Sequence, residues 1–410
     1  MTITGFYGRT RDKLARVGNA DIVIGIPSYQ SGSGIVHVIK TAAAGLEKYY
    51  PDLNPVIIIS DGGSTDGSRQ KAIDAEVPDG IEKIVALYSG TPGKGASLRA
   101  VFEAAYKLKA KAVAVFDSDL RSITPEWVKN LIDPVLNGFD YAVPFYHRYK
   151  YDGTITNAII YNIIRAIYGC KIRQPIGGDF GISADLNAHY LNLDSWEKDV
   201  FAFGIDIWMT MSAIAGGFKI CQARLGAKVH GEKDPSTDLA PMFRQVVGTA
   251  FRMMERYEDY WCNIKIIKDI PAIGEHTDLE PRAFKIDRDK LIRNFMDGIQ
   301  SCGKVWESVL DERDLKTVGR LASCGLSEFY FTNESWARIV YNYAAAFNKK
   351  KDRRQMLLDS MIPLYNARVA SFVNELSDKD TEGTEQYFEE QARVFENMRD
   401  YMLAIWNGQN

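Results

Sequence analysis

The chain has 410 residues, 46% of them hydrophobic and 25% charged, which excludes a mini-protein and disorder over most of the length and favours two domains over one core. With 50 Lys and Arg against 53 Asp and Glu, a net charge of −3 and no basic tract, a nucleic-acid partner has no electrostatic footprint. No apolar run approaches the roughly 18 residues of a membrane span, and Met1 to Gly18 lacks the apolar stretch of a signal peptide, so a cytoplasmic protein without a span is expected.

From Asp21 to about Arg121, short apolar runs alternate with helical patterns, the signature of βαβ units and a parallel sheet. The runs are Asp21–Pro27, Pro55–Ser60 and Lys111–Asp117, with a weaker strand at Ile84–Tyr88. Between the first two, Val36, Ile39, Ala43 and Leu46 recur at helical spacing before Pro51 stops the pattern, and Lys94–Leu108 reads as a further helix. An open sheet of this kind binds its ligand at the carboxyl ends of the strands. After about Met242 the strand-like runs vanish, and aromatic and aliphatic residues at three- and four-residue spacing predict helices through to Trp406. Gly274–Arg282 and Ser377–Gly383 are polar breaks, the second a loop between two long helices. The domain boundary is expected between Val229 and Met254. Cys170, Cys221, Cys262, Cys302 and Cys324 form no CxxC pair and are expected to be reduced and mostly buried.

The sharpest chemical feature is Asp117-Ser118-Asp119, directly after an apolar strand. Two carboxylates at a strand end suit Mg²⁺ or Mn²⁺, which take oxygen ligands from one or two carboxylates plus substrate phosphates. A solvated turn explains the same residues equally well, so the neighbouring strand ends decide. Pro27-Ser28-Tyr29 follows the first strand, and Asp61-Gly62-Gly63-Ser64-Thr65-Asp66-Gly67 follows the second. The glycines permit close backbone approach, Asp61 can accept hydrogen bonds from a base or ribose, and Ser64-Thr65-Asp66 also reads as a helix N-cap. Pro92-Gly93-Lys94-Gly95 places a lysine between glycines at a helix start without P-loop spacing.

These loops, in this order, resemble the nucleotide-sugar-binding half of the GT-A glycosyltransferases, a fold group that includes family 2. Farther on come Gly177-Gly178-Asp179, Gly204-Ile205-Asp206-Ile207 and Leu225-Gly226-Ala227-Lys228-Val229-His230, then Met242-Phe243-Arg244-Gln245-Val246. This run is similar to the retaining glucosyl-3-phosphoglycerate synthases of glycosyltransferase family 81. The resemblance implies an α/β protein with a GT-A type, Rossmann-like, mostly parallel sheet domain over residues 1–240, and the spacing after Met242 adds a mainly α-helical C-terminal domain over 241–410. It implies a nucleotide diphosphate sugar donor held by Pro27, Ser28, Tyr29, Asp61, Gly62, Lys94, Asp117, Ser118, Gly177 and Gly178, and a Mg²⁺ or Mn²⁺ ion held by Asp119 and His230. Asp119, Asp179 and Asp206 are the implied catalytic carboxylates, the last two beside the sugar. Gly153, Thr154, Ile155 and Thr156 would meet a small glycerate-type acceptor. A neutral imidazole is a good Mn²⁺ ligand, which agrees with the role for His230.

Departures from the family sharpen the expectations. Thr154 stands where the family has an arginine that clamps the acceptor's phosphate, so free D-glycerate is expected to serve at least as well as 3-phosphoglycerate. Asp179 and Asp206 replace glutamates and are one methylene shorter. The long tail beyond Val246, including Met361–Tyr365, reads first as packing and second as a homodimer or lid surface, with its aromatics packed against the sheet domain. The leading expectation is a metal-dependent retaining hexosyltransferase making a hexosylglycerate, a compatible-solute type of molecule. The alternatives are a family 2-like transferase with another acceptor and a non-catalytic nucleotide-sugar sensor.

Overall fold

The Val- and Ile-rich runs are buried on both faces, as a parallel sheet covered by helices requires. The chain, described by a computed structural model over residues 4–229, 239–275 and 281–408, forms ten strands among these residues: β1 (Ile22–Ser28), β2 (Pro55–Asp61), β3 (Glu82–Leu87), β4 (Ala112–Val115), β5 (Tyr141–His147), β6 (Cys170–Lys171), β7 (Phe180–Ser183), β8 (Ile220–Ala227), β9 (Lys268–Asp269) and β10 (Ala272–Ile273). Eight make one sheet in the order β10-β8-β5-β7-β4-β1-β2-β3. All neighbours are parallel except β7, which runs antiparallel to both β4 and β5. The strands β6 and β9 pair separately.

The strand order reverses around β1, with β2 on one side and β4 on the other, and the carboxyl ends at this switch point carry the polar loops read from the sequence. Register places Ser28 opposite Asp61 and Gly25 opposite Val115. The helix Gly34–Tyr49 buries Ile35, Val38, Ile39, Ala42, Ala43 and Leu46, and Pro125–Leu136 buries Trp127, Val128, Leu131 and Ile132 in the same core. Gly45 lets these two helices touch, since a Cβ there would lie 2.7 Å from the Val128 side chain.

The chain divides into two units, but not at a single point near residue 240. Among the described residues, the sheet unit takes in the chain up to His147, Ile172 to Val229, and the return from Ile270 to Arg282; the helical unit takes in Arg148–Lys171, Leu239–Asp269 and the chain from Ala283. The early excursion has a plain cause: residues 154–166 are a helical stretch buried throughout, which sequence periodicity alone does not assign to one layer. Strand structure also persists past Met242, because β10 returns to pair with β8.

In the helical unit, Ala240–Arg256, Arg288–Glu307, Asn333–Lys349, Arg354–Glu375 and Thr381–Asn397 are the longest helices. The polar break after Glu375 leads to Asp380, whose side chain caps the next helix by accepting from Gly383 N–H. Trp261, Trp306, Phe329 and Trp336 are buried within this unit, whereas Tyr330 is exposed. Met361, Leu364 and Tyr365 are buried in the helix Arg354–Glu375, and Gly298 admits Pro363, so this segment packs its own unit. All five cysteines are free; Cys170 and Cys221 are buried and the others half-buried.

Candidate active site

Each strand end at the switch point is tied to its neighbour by hydrogen bonds that the local sequence supplies. Asp61, fully buried at the end of β2, accepts from Gly63 and Ser64 N–H at 2.9 Å and from the Ser64 hydroxyl at 2.7 Å. It therefore builds its own turn. Gln30 accepts from Thr65 and Asp66 N–H and donates to the Thr65 hydroxyl, and Asp66 accepts from Gly32 N–H, which joins the loop after β1 to the loop after β2. The Ser31 hydroxyl lies 2.6 Å from that of Ser118 and 3.4 Å from that of Ser28, linking both loops to the strand end of β4. Pro27 is half-buried opposite Ser60. Tyr29 is 64% exposed, and with Tyr88 it flanks Gly62, where a Cβ would come within 3.3 Å of the Tyr29 ring.

The glycines around Lys94 serve backbone packing. Gly95 and Ala96 donate to the Ala202 and Phe201 carbonyls, and a Cβ on Gly95 would lie 1.8 Å from the Val200 carbonyl oxygen. This approach places the start of the helix Lys94–Lys107 beside the chain that leads into the helix Ile205–Ala215, so that Lys94 meets Asp206 in the latter's first turn. Lys94 Nζ lies 2.9 Å from Asp117 Oδ1 and 3.2 Å from Asp206 Oδ1. The Asp206 Oδ1 atom is buried and accepts no hydrogen bond among the described residues.

Behind Asp117 lies a second cation that sequence reading left without a role. Lys228, buried at the end of β8, donates to Asp117 Oδ2 at 2.9 Å, to Asp179 Oδ2 at 3.0 Å and to the Gly177 carbonyl at 2.6 Å. Asp179 is fully buried; its Oδ1 accepts from Asp117 N–H at 2.8 Å and its Oδ2 also accepts from the Tyr146 hydroxyl. Gly178, at φ 95°, is needed here, because a Cβ would lie 2.1 Å from Asp117 Oδ2.

The electrostatics follow from burial and pairing. Burial favours the neutral form of Asp117, but the charges of Lys228 and Lys94 outweigh it and hold the carboxyl well below the usual range. Burial dominates at Asp179 and Asp206, raising both despite Lys228 and Lys94 respectively. Burial also works against the charge on Lys94, yet Asp117 and Asp206 raise its pKa overall.

Ser28, Tyr29, Asp61, Gly62, Lys94, Asp117, Ser118, Asp119, Gly177, Gly178 and Asp206 are thus gathered at one edge of the sheet unit. Asp179 needs correction. A sugar-contact role does not suit a fully buried carboxylate whose two oxygens are both held by protein donors, and it stands behind Asp117 instead. Gly153, Thr154, Ile155 and Thr156 lie in the helical unit. Thr154 is 2% exposed with its hydroxyl 2.5 Å from that of Tyr365, so it presents no free hydroxyl to an acceptor; Ile155 and Thr156 are likewise buried, while Gly153 at φ 65° shapes the turn. His230 lies outside the described residues. Among the described residues no group of three His, Cys, Asp or Glu side chains is placed to hold a metal. Asp119 is half-buried and makes no hydrogen bond or ion pair there, which leaves its carboxylate available as an oxygen ligand; Asp117, with each oxygen on a lysine, is not. One free carboxylate fits a Mg²⁺ or Mn²⁺ ion whose shell is completed by substrate phosphates.

Residues 23–181 match the family model described as glycosyl transferase family 2. The undecaprenyl-phosphate 4-deoxy-4-formamido-L-arabinose transferase of Aeromonas hydrophila is 27% identical over 158 residues, covering 36% of this chain and 46% of that relative, so the match spans less than half of the relative's length. Among solved structures, glucosyl-3-phosphoglycerate synthase from Mycobacterium tuberculosis in complex with Mn²⁺, UDP and glucosyl-3-phosphoglycerate aligns at 19% identity with a TM-score of 0.45, covering 60% of this chain and 84% of that one. The same enzyme with Mg²⁺ and UDP aligns at 23% identity with a TM-score of 0.45 and the same coverage. Residues 23–181, which include the polar strand ends of β1, β2 and β4 in a mostly parallel sheet, are thus similar to a glycosyl transferase family 2 domain.

Proposed function

We propose that the chain is a metal-dependent retaining glycosyltransferase that moves a hexose from a nucleotide diphosphate sugar to D-glycerate or 3-phosphoglycerate. The observation that carries this reading is the strand-end cluster in which Lys94 bridges Asp117 and Asp206 while Asp119 has no partner among the described residues. A nucleotide sugar brings a diphosphate and vicinal hydroxyls. Asp119, with His230 as the second ligand read from the sequence, would hold Mg²⁺ or Mn²⁺, which when bound neutralises the charge growing on the leaving diphosphate. Lys94 adds a fixed positive charge on the same side, and its salt links cost no reorganisation as the leaving group departs. Asp206 Oδ1, whose contact with Lys94 is an ion pair and not an aligned hydrogen bond, has room to accept a sugar hydroxyl. Ser28, Tyr29, Gly62 and Ser118 supply the nucleotide-facing surface, with Asp61 fixing the loop that carries Gly62.

A phosphate-bearing lipid is the second acceptor reading, favoured by the printed name of the Aeromonas relative. One panel separates the two: the protein with Mn²⁺ or Mg²⁺, UDP-, GDP- and ADP-sugars, and D-glycerate, 3-phosphoglycerate or a short polyprenyl phosphate. Nucleoside diphosphate release is measured, and the product's acceptor and anomeric configuration are read by NMR. An α-linked hexosylglycerate or its phosphate supports the proposal. Product only on the polyprenyl phosphate, an inverted anomer, or no transfer from any donor overturns it.

A further inference from the structure

Resting on the donor-site reading above, we propose that Lys228 and Asp179 form a positioning pair: they lock Asp117 in place as the anchor of Lys94 and leave Asp119 alone to meet the metal. Lys228 does not reach the donor itself. Its side chain is 3% exposed and its Nζ is spent on three acceptors, the Asp117 and Asp179 carboxylates and the Gly177 carbonyl. Asp179 holds Asp117 from both ends of the residue, directly through the main-chain N–H and indirectly through Lys228 on the side chain. The two oxygens of Asp117 are thereby divided between two lysines, Oδ2 to Lys228 and Oδ1 to Lys94.

The consequence is directional. With Oδ2 pinned from behind, Oδ1 has one orientation, and Lys94 is set between it and Asp206 rather than free to sample the loop. Without Lys228, Asp117 and Asp179 would be two buried like charges sharing one space, and Asp117 would lose the fixed orientation that sets Lys94 between it and Asp206. The missing Cβ at Gly178 belongs to the same device, because the carboxylate occupies the place a side chain would take.

The test uses the full-length protein: wild type, Lys228→Met, Asp179→Asn and the double variant. Steady-state kcat and donor KM are measured alongside UDP and GDP affinity by calorimetry with Mn²⁺ and thermal stability. Lys228→Met is expected to raise the donor KM and weaken the nucleoside diphosphate by about tenfold or more, with a smaller change in kcat. Adding Asp179→Asn to it should recover part of that loss, because the second change removes the carboxylate that repels Asp117. A variant that loses stability while its folded fraction keeps the wild-type KM and affinity overturns the proposal, as does a double variant whose defects simply multiply. Should Lys228→Met alone fail to fold, the double variant, free of the unpaired charge at 179, carries the test: a raised KM supports the pair and a wild-type KM overturns it. If the wild type binds no nucleoside diphosphate, the donor-site reading fails and this inference with it; if the wild type binds and only the variants disobey, the pair alone is wrong.

Discussion

Both units bury charge, and they do so in opposite ways. In the helical unit the buried cations find acceptors within the unit: Arg338 pairs with Asp314, Arg165 with Glu389 and Glu396, and Arg368 with Glu375, Asn333 and the Phe331 carbonyl. In the sheet unit, Lys94 and Lys228 are shared among three carboxylates, Asp117, Asp179 and Asp206, and a fourth, Asp119, has no ion-pair partner among the described residues. A matched pair specifies packing. A cluster with carboxylate to spare at strand ends has room for a further cation, and the proposed donor site rests on that imbalance.

The comparison breaks most decisively at Asp119. Asp119→Ala is expected to lower turnover roughly a hundredfold or more, since the leaving diphosphate loses its charge partner, with little change in the thermal midpoint. The same turnover in the variant as in the wild type would remove the metal role. In the helical unit the order reverses. Arg338→Met strands Asp314, which burial already pushes toward its neutral form, and should cost about 3–5 kcal/mol of stability by chemical denaturation while leaving turnover per folded molecule unchanged. A smaller effect of the same kind is expected from Tyr365→Phe, which leaves the buried Thr154 hydroxyl with one partner fewer: about 1 kcal/mol of stability and no change in the preference between glycerate and 3-phosphoglycerate. A changed acceptor preference would return Thr154 to the acceptor site.

The smallest effect belongs to an exposed pair, Lys48 and Glu126, that is part of neither cluster. Hydrogen bonds from Lys48 chiefly, and from Thr124 and Tyr49, hold the Glu126 carboxyl at about 2 against 4.5 in the unfolded chain. The unfolded state therefore takes up the proton first, so this contribution is complete above pH 4.5 and fades as the pH falls toward 2. Solvent screening keeps it small. Glu126→Gln should lower the neutral plateau of the stability profile slightly and make the acid limb correspondingly shallower, the two proteins converging as the pH falls toward 2, as thermal melts across that range would show.

The contrast also explains which parts could be read from sequence. The strands β1, β2 and β4 are legible because a parallel strand buried on both faces is an unbroken Val, Ile and Ala run, and the observed limits differ from the sequence reading by a residue or two. The helices Gly34–Tyr49 and Lys94–Lys107 follow their apolar spacing equally closely. The antiparallel strand β7 is only Phe180–Ser183, too short for a periodic signal, and its place between β4 and β5 is set by long-range pairing. The excursion at Arg148–Lys171 is hidden for a related reason, since an all-buried helical stretch looks the same in either unit. At the site, Lys94, Asp117, Asp119 and Asp206 announce themselves by loop motifs. Lys228 does not, although a lone lysine closing the apolar run of β8 was the available signal: a buried ammonium needs a carboxylate nearby.

The most direct measurement is calorimetric titration of UDP, GDP and ADP into the full-length protein with Mn²⁺ and again with excess chelator. The account predicts that one nucleoside diphosphate binds when the metal is present and that its affinity falls about tenfold or more when the metal is removed, because Asp119 and the diphosphate then face each other without a shared cation. Binding that is indifferent to the metal, or no binding by any of the three, would contradict the claim that the sheet unit's strand ends form a metal–nucleotide donor site.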